Sequence, residues 1–504
     1  MRTFSIGLVL ALLAACTSSD LIIKNATLIS AEREQPGLGL DVRIRDGKIV
    51  EIGRNLPVPP GGNTLEADGR FLTPGFIDSH VHLYHATGLR ERYTDDYDAL
   101  YDAYMEQLPR SYLYFGYTTL IELNSDFESN EQFVSAVPAP SLYHCGQGVI
   151  LPDGYMAIEL PAGSLESSFP NFIHDRFGSD FLPVGADPSR HTPEAVVEQV
   201  ARQGGICIKL YYEEALWFPG GAPSFSLPSV EILQAVDAAA NSRDMTTVLH
   251  ATTPAGHRIG IESGIDVMAH GLFEWPGVDF FSLTEPEQVR EVLALQATES
   301  SQIQPTLQTL RNTQSMFDPN SLQDPALQHV LPASYLRYLA TDAQIQRDLF
   351  METFGPAIDP QAGIVEMAGH QENFNYRYEQ AIAELDRAGG RLLFGTDTAV
   401  GGFGWGNPPG LNGYREMQGW ERAGIELQTI FAAATLRNAE AFGIADDVGT
   451  IEAGKQADLL LLKLNPLETI DAYDSIENVI IKGIMYTRSE FDAANQSGNT
   501  RTVP

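Results

Sequence analysis

The chain has 504 residues, of which 43% are hydrophobic and 19% charged, a composition that supports a large core and excludes wholesale disorder. Lys and Arg number 32 against 66 Asp and Glu, and a net charge of −34 argues against a phosphate backbone or an anionic membrane surface as a partner. The acidity reads as a solvated surface or, alternatively, as a funnel for a cationic small molecule.

Residues 1–15 have the shape of a secretory leader: Arg2, an apolar stretch from Phe4 to Leu13, then small residues, too short to span a bilayer permanently. Leu13-Ala14-Ala15-Cys16 resembles the lipobox of bacterial lipoproteins. That resemblance implies cleavage before Cys16 and lipidation of its thiol. Thr17 in place of Asp implies transport to the outer membrane. The expected form is an exported body on the periplasmic face, touching the membrane only through this anchor. An ordinary signal peptide ending in Cys, or a buried apolar strand, are the alternatives. Cys145 and Cys207 are the remaining cysteines. Export would permit them to pair, but two cysteines make no framework and Cys207 lies in an apolar run, so two free buried thiols are expected.

From Leu21 to Leu72 short alternating strands are predicted, with Asp46-Gly47 as a hairpin turn. The same pattern returns over 448–464 and 478–486. Segments 16–70 and 446–504 are therefore expected to pair into one small composite β-sandwich, with residues 71–445 folded as an insert between them. In that insert apolar runs at 76–83, 117–123, 141–146, 206–212, 246–251, 265–270, 301–307 and 391–397 alternate with helical stretches such as 193–204 and 230–243. Eight buried strands alternating with helices predict an α/β fold, a distorted parallel (β/α)8 TIM barrel. A helical insertion at about 308–390 reads as a lid over the mouth, or as a packing excursion with no role in substrate choice.

His80-Val81-His82 ends the first predicted strand, and residues two apart share a strand face, which suits two ligands on one metal ion. Other strand ends carry His144, Lys209, His250, His270 and Asp397. Burying an amine, a carboxylate and several imidazoles together is costly unless something pairs them, and divalent metal does so. Tyr211 lies two residues past Lys209, as a substrate contact or an aromatic wall. Asp78 has the parity of His80 and His82, orienting a ligand or serving structure alone.

Residues 73–82, Thr-Pro-Gly-Phe-Ile-Asp-Ser-His-Val-His, resemble the opening motif of the amidohydrolase superfamily of metal-dependent hydrolases. Residues 434–443 and 449–459 are similar to the stretch with which its members leave the barrel. Gly204-Gly205-Ile206-Cys207-Ile208-Lys209 resembles the imidazolonepropionase and prolidase-like branch, although Gly205-Ile206 replaces that branch's Ala-Asp pair. The resemblance implies a first metal on His80, His82 and Asp397, a second on His250 and His270, and a carbamate on Lys209 bridging two divalent ions, zinc by default. The alternative is one ion with Lys209 as an ordinary buried amine. Asp397 is implied as the proton carrier, with Tyr211 and His144 as further catalytic candidates. The implied activity is hydrolysis of a C–N bond in a small molecule such as a dipeptide or N-acyl amino acid. A mononuclear deaminase or cyclic-imide hydrolase, or a non-catalytic solute-binding lipoprotein, stand as alternatives, and an oligomer is compatible with all of them.

Overall fold

The computed structural model describes residues 20–498 apart from 159, 162, 216–224, 279–281, 354–362 and 400–405. The leader 1–15 and Cys16 lie outside the described residues. Among the described residues no helix is long and apolar enough to cross a membrane. The fold is α/β with mixed sheets. In chain order its strands are β1 (Leu21–Leu28), β2 (Gly37–Arg45), β3 (Lys48–Gly53), β4 (Asn63–Glu66), β5 (Phe71–Pro74), β6 (Phe76–Val81), β7 (Tyr117–Glu122), β8 (Ser141–His144), β9 (Cys207–Tyr211), β10 (Thr246–His250), β11 (Val267–Ala269), β12 (Gln302–Gln304), β13 (Leu459–Leu462), β14 (Ile476–Ile481) and β15 (Ile484–Thr487).

Both ends of the chain meet in one eight-stranded mixed sheet ordered β15-β14-β13-β5-β1-β2-β3, with β4 also paired to β1. Its buried face is built from Leu21, Ile23, Ala26 and Leu28 of β1 against Leu459, Leu461 and Ile480. The step from Ile23 to Ala26 breaks strict alternation because Asn25 takes a left-handed φ of 52° and shifts the register. Asp46 and Gly47, both at positive φ, turn β2 into β3.

The central segment forms two parallel sheets, β6-β7-β8 and β12-β11-β10-β9. Helices between strands start where the sequence places caps: Thr192 before Pro193–Arg202, Ser229 before Val230–Asn241 and Thr253 before Pro254–Glu262, each accepting a backbone amide three residues on. Seven of the eight expected runs are strands. The eighth, 391–397, is not a regular strand, yet its backbone bonds both sheets: Leu393 N–H donates to Ile303 O, and Ser79 N–H to Phe394 O. Side chains take the place of a ladder there. Asn438 accepts from Phe394 N–H and donates to Ile77 and Phe394 carbonyls, while Ser79 Oγ–H also reaches Phe394 O. Asn438 follows a π-helical turn at Ala433–Arg437, which is how the motif at 434–443 becomes structural.

One expectation is overturned. Cys145 and Cys207 are not free thiols but a disulfide, with Cα atoms 4.4 Å apart. Both side chains lie in an inner apolar cluster with Ile77, Ile121, Val248, Val267 and Leu393. β8 and β9 share no ladder; the bonds from Ile206 N–H to His144 O and from Val149 N–H to Lys209 O are supplemented by the S–S bridge across this seam. A sequence separation of 62 residues hides that proximity.

The segment after β12 is helical, with Leu307–Ser315, Ala333–Ala340, Ile345–Thr353 and Ile364–Arg387 as its longer pieces. Tyr335 and Tyr338 hydroxyls donate to Thr87 and Gly88 carbonyls just beyond β6, and Tyr378 accepts from Gly271 N–H just beyond β11. The insertion thus grips the loops that follow two of the site-bearing strands.

Candidate active site

His80 and His82 meet Asp397 at one point: Asp397 Oδ1 lies 3.2 Å from His80 Nε2 and 3.0 Å from His82 Nε2. One ligand atom from each lies within 4.8 Å of the others, a group able to hold a metal ion. The remaining imidazoles continue the row. Ring centroids of His80 and His270 are 5.2 Å apart, and those of His270 and His250 are 4.6 Å apart. Lys209 is buried, and its positive charge acts on both His80 and His270.

The electrostatics are those of a site waiting for positive charge. His80 is buried, and neither of its ring nitrogens has a hydrogen-bond partner, nor has Lys209 Nζ. Burial first and the Lys209 charge second pull His80 down to about 3. Burial brings Lys209 down to about 7, against the opposing pull of Asp397 and Glu122, so much of the amine is neutral at neutral pH. Burial pushes the Asp397 carboxyl up, but its contacts with His80 and His82 outweigh that and hold it well below the usual range. Burial opposes charge on His82 too, yet hydrogen bonds to Asp397 and Glu122 raise it to about 9. Orphaned buried nitrogens beside an ionised carboxylate are the donor set that a divalent cation satisfies.

Carboxylates and hydroxyls behind the imidazoles orient them. Glu122, buried at the end of β7, accepts from Leu83 N–H at 2.5 Å and Asn124 N–H at 2.9 Å, and sits 3.3 Å from His82 Nδ1. Thr306 Oγ1 pairs with His270 Nδ1 at 2.8 Å, and Glu213 Oε2 with His250 Nε2 at 2.7 Å. Asp78 holds the other side: it accepts from Thr396 N–H and Oγ–H and from His80 N–H, tying β6 to the turn that presents Asp397. Sequence reasoning missed Glu122, Glu213 and Thr306. Glu122 had a signal, a carboxylate inside the apolar run at 117–123.

Thr306 caps nothing, because its hydroxyl is engaged by His270. The helix Leu307–Ser315 is capped from a distance by Glu416, which accepts from Leu307 and Gln308 N–H and from Trp420 Nε1–H. Burial raises Glu416 from 4.5 to about 7. The folded state therefore keeps a proton that the unfolded state releases, and stability falls as pH rises from about 4.5 to about 7. Glu416→Gln is expected to remove a component of up to about 3 kcal/mol from that slope, read by urea unfolding between pH 4.5 and 7.5. Equal slopes in the two proteins would refute it.

Tyr211 is a wall residue: its ring is 5.6 Å from Lys209 Nζ and 5.7 Å from His250, and it packs on Ile150 and Phe172. His144 is not brought to the cluster. Its Nδ1 accepts from Gly146 N–H and its Nε2 faces the Gly204 turn, since the adjacent Cys145 takes the inward direction.

A Glu122→Gln substitution must turn an amide N–H toward one of three groups the carboxylate now receives. The expected outcome is a loss of about 1–3 kcal/mol in stability and a metal affinity about 10- to 100-fold weaker, read by urea unfolding and chelator competition.

Residues 360–485 match the model of the amidohydrolase family. A stretch of 64 residues is 44% identical to a D-hydantoinase of Rhizobium radiobacter, covering 13% of each chain, so the curated relative is matched over a small part of its length. Solved structures share the fold over most of the chain. A Xaa-Pro dipeptidase with bound methionine superposes with a TM-score of 0.61 at 18% identity, covering 93% of this chain and 100% of that one. An ochratoxinase of A. niger gives 0.62 at 20% identity, covering 93% and 96%. With the family match over the C-terminal quarter and the fold shared over the rest, the chain belongs to the amidohydrolase family of metal-dependent hydrolases.

Proposed function

We propose that this protein is a metal-dependent hydrolase of a C–N bond in a small molecule, with dipeptides or N-acyl amino acids as its substrates. The observation that carries the reading is the meeting of His80, His82 and Asp397 beside an unpartnered buried amine, Lys209. The dipeptidase among the fold neighbours supports the substrate class, and the hydantoinase stretch supports amide-bond chemistry in general. We read the two parallel sheets and the 391–399 segment as one eight-stranded barrel, whose carboxyl rim bears the cluster.

His80, His82 and Asp397 would hold one divalent ion, and His250 and His270 a second, with zinc favoured by the imidazole-rich donor set. Such ions supply activated water at neutral pH and polarise a carbonyl. Lys209, near neutrality through burial, is the amine able to take up carbon dioxide and become an anionic bridge. Asp397, ionised at the point where the two imidazoles converge, accepts a proton from the attacking water at Oδ1 or Oδ2 and returns it to the leaving nitrogen. Tyr211, with Tyr155 stacked 5.9 Å from His250, walls the substrate side.

Residues 1–15 form a leader and Cys16 a lipid anchor in this reading, which holds the body on the outer membrane's periplasmic face. The Cys145–Cys207 disulfide supports an oxidising compartment. The test is elemental analysis of a soluble form starting at Thr17, paired with a hydrolysis screen over dipeptides, N-acyl amino acids and cyclic amides. Two equivalents of metal with C–N cleavage support the proposal. One equivalent with deamination or cyclic-imide opening replaces it, and failure to take up metal or to hydrolyse any amide overturns it.

A further inference from the structure

Glu213 stands two residues beyond Tyr211 and is buried, and its two carboxylate oxygens have separate tasks. Oε1 accepts from Ala215 N–H at 2.5 Å, and Oε2 lies 2.7 Å from His250 Nε2. Ala215 is held at a φ of 51°, a left-handed conformation that costs a residue with a Cβ roughly 1 kcal/mol or more. The turn over 213–215 is thus folded around the carboxylate and stops it from rotating away from the imidazole. The ring itself is walled by Tyr211 at 5.7 Å and Tyr155 at 5.9 Å.

A neutral imidazole has one N–H and one lone pair. With Glu213 ionised, the Nε2 nitrogen of His250 must be the donor, and the lone pair is then on Nδ1. His270 is set the opposite way, because Thr306 occupies its Nδ1 and leaves Nε2. The two neighbouring rings therefore present different nitrogens, and each choice is made by a residue that touches no substrate.

We propose that Glu213 is a positioning residue that fixes the tautomer and rotation of His250, and thereby sets the affinity of the second metal position while leaving the first untouched. The proposal rests on the two-ion reading above, and it adds a determinant that is not itself a ligand. It is specific to this chain, since the orienting carboxylate comes from the loop after β9 rather than from the strand bearing the imidazole.

The experiment is a zinc and cobalt titration of metal-free wild type, Glu213→Gln and Glu213→Ala, followed by elemental analysis and cobalt absorption spectra, with far-UV circular dichroism and thermal melts as folding checks. Wild type should take up two equivalents. Glu213→Gln and Glu213→Ala should keep the first at unchanged affinity and bind the second about 10- to 100-fold more weakly. The cobalt spectrum of the second equivalent alone should change. Glu213→Asp serves as the conservative variant and should recover part of the loss. Unchanged affinity for both equivalents in a folded Glu213→Ala protein overturns the proposal while sparing the two-ion reading. Uptake of a single equivalent by wild type overturns both. Should Glu213→Ala fail to fold, nitrogen NMR of metal-free wild type decides instead: a His250 protonated at Nδ1 and bare at Nε2 overturns the proposal, and the reverse supports it.

Discussion

Asp397→Asn is expected to lower kcat/KM for an amide substrate by about 10²- to 10⁴-fold, the usual contribution of a positioned proton carrier. The substitution is chosen because asparagine tolerates the left-handed backbone that Asp397 adopts, at a φ of 55°, where alanine would add strain. It also keeps an oxygen near His80 and His82. What it removes is the negative charge and the ability to accept a proton between them. Metal content should stay close to that of the wild type at saturating zinc, while turnover falls at every pH. The check is steady-state kinetics on the best substrate from the screen, with metal analysis of the same samples. Wild-type turnover in a fully loaded Asp397→Asn enzyme would remove Asp397 from the proton path.

The second large effect concerns the seam between β8 and β9. Closing a loop of 62 residues restricts the unfolded chain enough to stabilise the folded state by about 4 kcal/mol in the chain-entropy account. Replacing both Cys145 and Cys207 by alanine removes that constraint and also empties part of an inner apolar cluster. Denaturant midpoints should therefore rank oxidised wild type above reduced wild type, with the double variant near the reduced form. Cys207 is two residues before Lys209 on β9, so loss of order at this seam reaches the amine at the candidate centre. Coincident unfolding curves for oxidised and reduced protein would show that the hydrogen bonds flanking the bridge hold the seam unaided.

Much of this protein was written in local pattern. Period-two alternation with Asp46-Gly47 marks the hairpin of the terminal sheet, and Thr192, Ser229 and Thr253 announce helix starts, because these signals depend only on near neighbours. The polar residues ending apolar runs exposed His80, His82, Lys209, His250, His270 and Asp397 as candidates, since unpaired burial of such groups is costly anywhere in a core. His144 satisfied the same rule but faces away, for strand parity turns on where the register shifts, and Cys145 took the inward position.

The rest depended on contacts between residues far apart in the chain. The disulfide needed two strands with 62 residues between them to meet. Asn438 replaces a missing ladder between β6 and the 391–397 run, a role no spacing rule encodes. Which carboxylate or hydroxyl stands behind each imidazole was likewise settled only by packing: Glu122 behind His82, Glu213 behind His250, Thr306 behind His270. Sequence determines which groups are too polar to be buried alone, because that cost is intrinsic to the side chain. Tertiary structure decides which group answers each of them, because hydrogen bonds and ligand sets act over about 3 Å and depend on where the folded backbone brings distant residues.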